Sequence, residues 1–430
     1  MITISRFDFE NERFLRLLNR QGDIPADVAM KVAAILEDVK THGDDALFRY
    51  MKEFDGIDLH ESGIVVSDAE YEEAKARVPK EFQESLRKAC DNIFSYHQKQ
   101  KARDYTVTYD DGVVLERKYT PLSKVGVTVP GQMAPLFSSL YMNVIPALVA
   151  GVKEIYVITK PVNGKIHDTI LYTAHYLGVT AVYKISGAQG IAALGYGTNL
   201  VKKVDAIVGP GNNFTQMAKK LLYGQVKLDS LAGPSEIAII ADEEANPTFI
   251  AADLLSQAEH GTGYEASTVF CLSEKMAMRI KEEVKRLISE NGLTAPIKSL
   301  ENYGDLFVVD SLETATTALN RLAPEHAQIL VQHPEEILPL ITNAGAVFVG
   351  EYSPEPVGDY FCGSNHVLPT CGTARFSSGL SVADFTRGYS VIQYTKEALA
   401  KNGANIELLA RTEGLSAHAL SVAVRNNRLL

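Results

Sequence analysis

The chain has no tryptophan, and its four cysteines, Cys90, Cys271, Cys362 and Cys371, are scattered with no C-x-x-C pair. That spacing argues against a disulfide framework and zinc-finger ligation, and reads most simply as reduced thiols in a cytoplasmic protein. No apolar run is long enough to span a bilayer, and the opening MITISRFDFENERF is charged and lacks the core of a signal peptide. Positive charge is also scarce: 42 Lys and Arg stand against 53 Asp and Glu, a net charge of −11. Nucleic acid and anionic membrane are therefore poor candidates for the main partner. Low-complexity segments and internal repeats are absent. So is G-x-G-x-x-G with an acidic residue at the ribose-binding distance. What remains is small-molecule chemistry on a folded scaffold, since 46% hydrophobic and 22% charged residues are ordinary for a globular protein.

At 430 residues the chain is too long for one simple core. Residues 1–21 read as a short helical arm with Phe7, Phe9, Phe14, Leu15 and Leu18 as anchors. After Asp23-Ile24-Pro25, apolar residues at helical spacing predict helices over 26–42, 44–54, 67–78 and 80–100. Nothing there assembles reactive side chains. Past the turn signal Tyr109-Asp110-Asp111-Gly112 the pattern becomes strand, Gly-rich loop and helix, repeated. Strands are expected at 125–129, 154–159, 181–185 and 206–208, with helices ending near Gly151, Gly178 and Tyr196. That alternation marks a parallel sheet wrapped by helices. Loops VPGQ (129–132), SGAQG (186–190) and GPGNN (209–213) follow strands and open helices, where such sheets bind ligands and phosphate approaches backbone N–H groups.

Further on, a strand is expected at 237–241, and Asn246-Pro247 opens a helix running toward Gly261. Gln257 and His260 then share one helical face at i and i+3, a metal-capable imidazole and amide or, as such faces more commonly are, a solvated polar face. Strands at 267–272 and 305–309 and helices at 274–291 and 312–322 follow. Glu325 and His326 are adjacent just before an apolar strand, either reaching one cavity or lying exposed at a strand entrance. The turn-rich stretch 352–375 holds Asp359 and His366, and irregular segments of that length are usually functional. The tail, 405–430, is read as helical with a break at Gly414, between Glu413 and His418.

Taken singly, each polar group has a bland alternative. Together, AGPSE (232–236), GPGN (209–212), SQAEH (256–260), PEH (324–326), GDY (358–360), NHVLPT (365–370) and EGLSAH (413–418) form a series that closely resembles the histidinol dehydrogenase family, from about residue 30 to the C-terminus. The resemblance implies a zinc- and NAD-dependent homodimer that oxidises L-histidinol to L-histidine through the aldehyde, in histidine biosynthesis. It implies zinc, one per subunit, on Gln257, His260, Asp359 and His418, with His418 and Glu413 reaching the partner's site. Glu325 and His326 would be catalytic, His326 as the base and Glu325 as the group that activates water. Substrate would meet Ser235, Gln257, His260, His326, Asp359, Glu413 and His418, with His366 a weaker candidate. NAD would meet Thr128, Gln189 and Asn212.

Thr128 stands where the family has a tyrosine in a Y-V-P-G-G loop. The loop here is TVPGQ, so no aromatic face is offered and Gln132 replaces a glycine. The implied fold is α/β, two Rossmann-like parallel-sheet units with an N-terminal arm (1–26) and a C-terminal helical dimerisation domain (381–430). One sheet unit is 128–236, carrying NAD. The other is split, 27–127 with 237–380, and carries most catalytic residues. Three alternatives stay open: a paralogue oxidising another polar alcohol, a zinc hydrolase, and a non-catalytic nucleotide-binding protein.

Overall fold

The computed structural model describes residues 2–20, 26–131 and 135–427. It divides into one unit of Met1–Gln100 with Ser123–Phe385 and another of Lys101–Leu122 with Thr386–Leu430. Two parallel sheets organise the first unit. One has five strands in the order Ala181–Tyr183, Glu154–Thr159, Lys124–Val129, Ala206–Val208, Lys227–Leu228. The other has six, in the order Thr3–Arg6, Gly304–Val308, Ala266–Cys271, Glu236–Ala241, His326–Leu330, Ala346–Val349. Helices cover the faces of both, so their central strands are near-continuous apolar runs. Every residue of Glu236–Ala241 and Ala266–Cys271 is buried. The connecting helices start and stop where side chains satisfy their ends. Ser273 accepts from the Met276 N–H and Ser311 from the Thr314 N–H, and Gly292 closes helix Glu274–Asn291.

The α/β class with two parallel-sheet units is what the sequence implies, but the elements are shared out differently. Helix Ala26–Asp55, broken at Gly43, packs on the five-stranded unit, whereas Lys80–Gln98 meets both that unit and the 237–380 segment, Asn92 Nδ2 donating to the Phe361 carbonyl at 2.9 Å. Val32, Leu36, Leu47 and Met51 share one core with Ile158, Ile191, Leu194 and Ile207 of the five-stranded unit. Leu86, Cys90 and Ile93 pack against Tyr141, Met142 and Ile145. Periodicity shows which stripe of a helix is apolar, but not which sheet that stripe covers.

The N-terminal arm is half strand. Thr3–Arg6 lies parallel to Gly304–Val308 as an edge strand, and helix Glu12–Leu18 follows, capped by Asn11. Phe7 and Phe14, with ring centroids 5.0 Å apart, meet the stacked pair Phe270 and Phe307, which fastens the arm to the six-stranded sheet. The signal Asp23-Ile24-Pro25 lies outside the described residues.

The second unit is not purely helical. Thr386–Gln393, Val114–Pro121 and Tyr105–Thr108 form an antiparallel sheet. The Tyr109–Gly112 turn signal joins two of its strands, with the Gly112 N–H donating to the Tyr109 carbonyl at 2.9 Å. Helices Lys396–Thr412 and Ser416–Ala423 pack on each other across the break at Gly414, which has φ +77 and so a left-handed backbone that favours glycine.

Candidate active site

In the six-stranded sheet the reactive side chains gather at the N-terminal ends of the strands. Glu236 is the first residue of Glu236–Ala241, and His326 pairs with Ile237 in the neighbouring strand. The Glu236 N–H donates to Glu325 Oε2 at 3.1 Å, and the Glu325 N–H donates to Glu236 Oε1 at 3.3 Å. His326 Nδ1 lies 3.2 Å from the Glu236 carbonyl, an acceptor, so Nδ1 carries the proton and Nε2 faces the site. The Glu236 carboxylate also accepts from the Cys371 N–H at 2.7 Å and pairs with Arg20 Nη2 at 2.6 Å, both side chains being almost wholly buried. Glu236 is thus the brace of the Glu325–His326 pair. Sequence reasoning quoted it inside AGPSE without giving it a role. An acid opening an apolar strand was the available signal, because a buried carboxylate needs a partner.

Glu325 and His326 are buried, at 6% and 3% exposure, which decides against the solvated strand entrance. Burial pushes the Glu325 carboxyl up to about 7, against the opposing pull of His326. Burial works against a charge on His326, yet Glu325, Asp359 and Glu355 outweigh it and raise the imidazole to about 10.

His326 Nε2 lies 3.7 Å from Asp359 Oδ1 and 3.9 Å from Glu355 Oε1. These carboxylates sit at i and i+4 of helix Glu355–Tyr360 and so share one face. Glu355 is a second residue the sequence reading missed, although that spacing is visible in PEPVGDY. Burial and then Asp359 push Glu355 up to about 8. Burial opposes the Asp359 charge as well, but the neighbouring imidazoles of His326 and His366 hold it below the usual carboxylate range. His366 Nδ1 donates to the Asp359 backbone carbonyl at 2.8 Å, so it supports Asp359 from behind.

Ser256 Oγ donates to Glu355 Oε2 at 3.1 Å, which ties helix Pro247–Ala258 to this cluster. The next residue, Gln257, is buried with neither amide atom hydrogen-bonded. The helix closes at Ala258, short of the expected run toward Gly261. His260 therefore lies exposed in the turn beyond it and does not stack on Gln257 along a helical face. Ser235 is half-buried, its carbonyl accepting from the Ala266 N–H at 3.1 Å. Among the described residues, His326, Glu355 and Asp359 form a group able to hold a metal ion, with ligand atoms within 4.8 Å of one another. Asp359 alone is common to this group and the ligand set implied by the sequence.

The five-stranded sheet presents its opposite edge. Thr128 lies near the C-terminal end of the central strand and is buried. Gly209 crosses it so closely that a Cβ there would lie 2.3 Å from the Thr128 carbonyl oxygen. Lys219, fully buried, bonds the Gly209 carbonyl at 2.9 Å and is paired with Asp229, whose other oxygen accepts from the Gly209 N–H at 2.7 Å. Asn212 is exposed and caps helix Asn213–Leu221 by accepting from the Thr215 N–H at 3.1 Å. Gln189 is buried in helix Gly187–Tyr196, its amide nitrogen 3.5 Å from Met51 Sδ. Gln132 lies outside the described residues. In the second unit, Glu413 and His418 are both exposed and line one groove with Leu409, Ala410 and Leu415.

Two parallel sheets, one edge lined by glycine turns and the other by a buried carboxylate–imidazole cluster, define an α/β enzyme. A family model for histidinol dehydrogenase matches residues 18–426. A histidinol dehydrogenase of Halalkalibacterium halodurans is 46% identical over 413 residues, covering 95% of this chain and 96% of that one. One of Geobacillus kaustophilus is 47% identical over 401 residues, 92% and 93% of the two chains. The crystal structure of histidinol dehydrogenase from Elizabethkingia anophelis superposes with a TM-score of 0.92 at 36% identity, over 99% of this chain and 98% of that one. The chain belongs to the histidinol dehydrogenase family and is, by that membership, an oxidoreductase.

Proposed function

We propose that the protein oxidises L-histidinol to L-histidine by way of L-histidinal, the last steps of histidine biosynthesis, with two NAD as hydride acceptors. It acts as a cytoplasmic homodimer with one zinc ion per subunit. The observation that carries this reading is the buried Glu325–His326 pair, braced by Glu236 and facing Asp359 and Glu355. The name borne by the relatives supports histidinol as the substrate.

Gln257, His260 and Asp359 would hold the zinc, with the partner subunit's His418. Gln257 suits this because its buried amide has no other partner, and a donor set of imidazole, amide and carboxylate matches zinc. When bound, zinc supplies a fixed positive charge that holds the substrate's imidazole and amine and offsets the carboxylates raising His326. His326 Nε2, unpartnered and facing the cluster, then takes the hydroxyl proton as hydride leaves the carbon for NAD. Glu325, its carboxyl held near neutrality, takes a proton from the water that adds to the aldehyde. The resulting gem-diol loses a proton and a second hydride to give the acid. Ser235 and the partner's Glu413 would contact substrate.

NAD would lie along the C-terminal edge of the five-stranded sheet, over Thr128, Gln189 and Asn212. The close glycine crossing at Gly209 and the helix start at Asn212 suit a pyrophosphate. The deciding experiment measures NADH formed per L-histidinol by zinc-loaded protein with excess NAD. Two NADH and one histidine are expected. Thr128, buried in its strand without an aromatic face, favours one second reading: a paralogous zinc- and NAD-dependent dehydrogenase of another polar alcohol. NAD binding without NADH formation from histidinol would select it.

A further inference from the structure

The C-terminal edge of the five-stranded sheet also carries a charged pair that the reaction above does not use. Lys160 directly follows strand Glu154–Thr159, and its Nζ lies 2.6 Å from Asp55 Oδ1. Asp55 ends helix Ala26–Asp55, and its side chain is 8% exposed against 22% for Lys160. The other Asp55 oxygen faces Ser186 Oγ at 3.4 Å, at the start of the helix that holds Gln189. Gly131 folds over the same strand end, where a Cβ would lie 2.8 Å from Thr159 Oγ1 and 3.3 Å from the Lys160 carbonyl. Thr159 Oγ1 is itself buried without a hydrogen-bond partner. The ends of three adjacent parallel strands therefore converge on Asp55 and Lys160.

In a doubly wound sheet, the end of the second strand is where an acidic residue accepts a hydrogen bond from the adenosine ribose of NAD, or a cation receives the 2′-phosphate of NADP. Here that strand is followed by Lys160, and the acid arrives from a helix far earlier in the chain. We propose that Asp55, held in place by Lys160, reads the 2′-hydroxyl of the adenosine ribose and sets the preference for NAD over NADP. This rests on the NAD reading above. The carboxylate accepts from the hydroxyl and repels a 2′-phosphate, while the Lys160 charge is occupied by Asp55. Without the Asp55 charge, the same ammonium group faces the phosphate unopposed.

Isothermal titration of zinc-loaded protein, with no alcohol present, tests this with NAD, NADP and the 2′-deoxyadenosine analogue of NAD. A hydrogen bond to a charged acceptor is involved, so the deoxy analogue is expected to bind about tenfold more weakly than NAD. Asp55→Asn is expected to lower the ratio of NAD to NADP affinity by roughly tenfold or more, with tighter NADP binding. Lys160→Ala is expected to weaken NAD several-fold without improving NADP. Wild-type protein that binds NAD and its deoxy analogue within about twofold of each other overturns the proposal without any variant. A folded Asp55→Asn protein with an unchanged ratio does the same. Wild-type protein that binds neither dinucleotide removes the cofactor reading and this inference together.

Discussion

The two parallel sheets share an architecture and use opposite edges of it. The five-stranded sheet presents C-terminal strand ends, glycine turns and helix starts, with its charges mostly neutralised in close pairs such as Lys219–Asp229 and Lys160–Asp55. The six-stranded sheet presents N-terminal strand ends, where Glu236, Glu325 and His326 are packed with Asp359 and Glu355 around a surplus of negative charge. The first edge suits a ligand held by backbone groups, as open α/β sheets commonly do. The second is an unusual place for a site. There, backbone donors and one buried arginine oppose the burial that raises the Glu236 and Glu325 carboxyls. The difference separates holding from reacting. Backbone conformation suits the first task, and control of pKa suits the second.

The sharpest way to break this division is at the reacting edge. His326→Asn should lower both oxidations by roughly 10²- to 10⁴-fold, the usual worth of a positioned base, with NAD affinity unchanged. Glu325→Gln should lower NADH formation from L-histidinal far more than the first turnover of L-histidinol. Equal losses on both substrates would show that the two side chains do not divide the work. Arg20→Met comes next. It leaves Glu236 buried and unpaired beneath Glu325, and loss of one partner of such a pair destabilises by about 3–5 kcal/mol. Chemical unfolding should show that loss, with Arg20→Lys recovering part of it. A Met variant as stable as wild type would mean the pair does not brace the site. Asp359→Asn is expected to reduce zinc affinity by about 10²-fold, at or beyond the upper range for outer-shell groups, as read by elemental analysis after dialysis. Full zinc retention would remove Asp359 from the ligand set.

The two edges were unequally legible in the sequence. Local signals carried well: the helix Glu274–Asn291 and the break at Gly43 follow from apolar spacing and backbone preference alone. Glu325 and His326 were visible because they adjoin each other and an apolar strand. The brace beneath them was not, since Arg20 and Glu236 are far apart in the chain and meet only through the edge-strand position of the arm. The same holds for Asp55 and Lys160, joined by a helix crossing onto a sheet to which the sequence reading did not assign it. Gln257 was found, but its environment was misjudged by one helical turn. The helix ends at Ala258, so one side chain is buried and His260 lies outside. Strands Val114–Pro121 and Thr386–Gln393 escaped notice because their exposed faces carry no regular apolar alternation, and each is stabilised by the other.

The smallest expected effect tests whether the six-stranded unit in general tolerates buried acid, or only acid that is braced. Asp253 lies on helix Pro247–Ala258, buried, with Gln328 Nε2 donating to its Oδ2 at 2.7 Å and, among the described residues, no cation paired with it. Burial pushes its carboxyl up to about 6, from an ordinary 3.8. The folded value is the higher one, so the proton bound by the native state stabilises it. That contribution is complete below pH 3.8 and is lost as pH rises through about 6. Above that pH both states are ionised, and the native state retains a buried, uncompensated charge. Asp253→Asn keeps the acceptor for Gln328 and removes the charge. Its advantage over wild type should grow between about pH 4 and pH 6 and level off near 3 kcal/mol, as read from urea unfolding across that range. A constant difference at every pH would show that Asp253 is compensated without a cation, and that bracing is not what distinguishes the candidate catalytic edge.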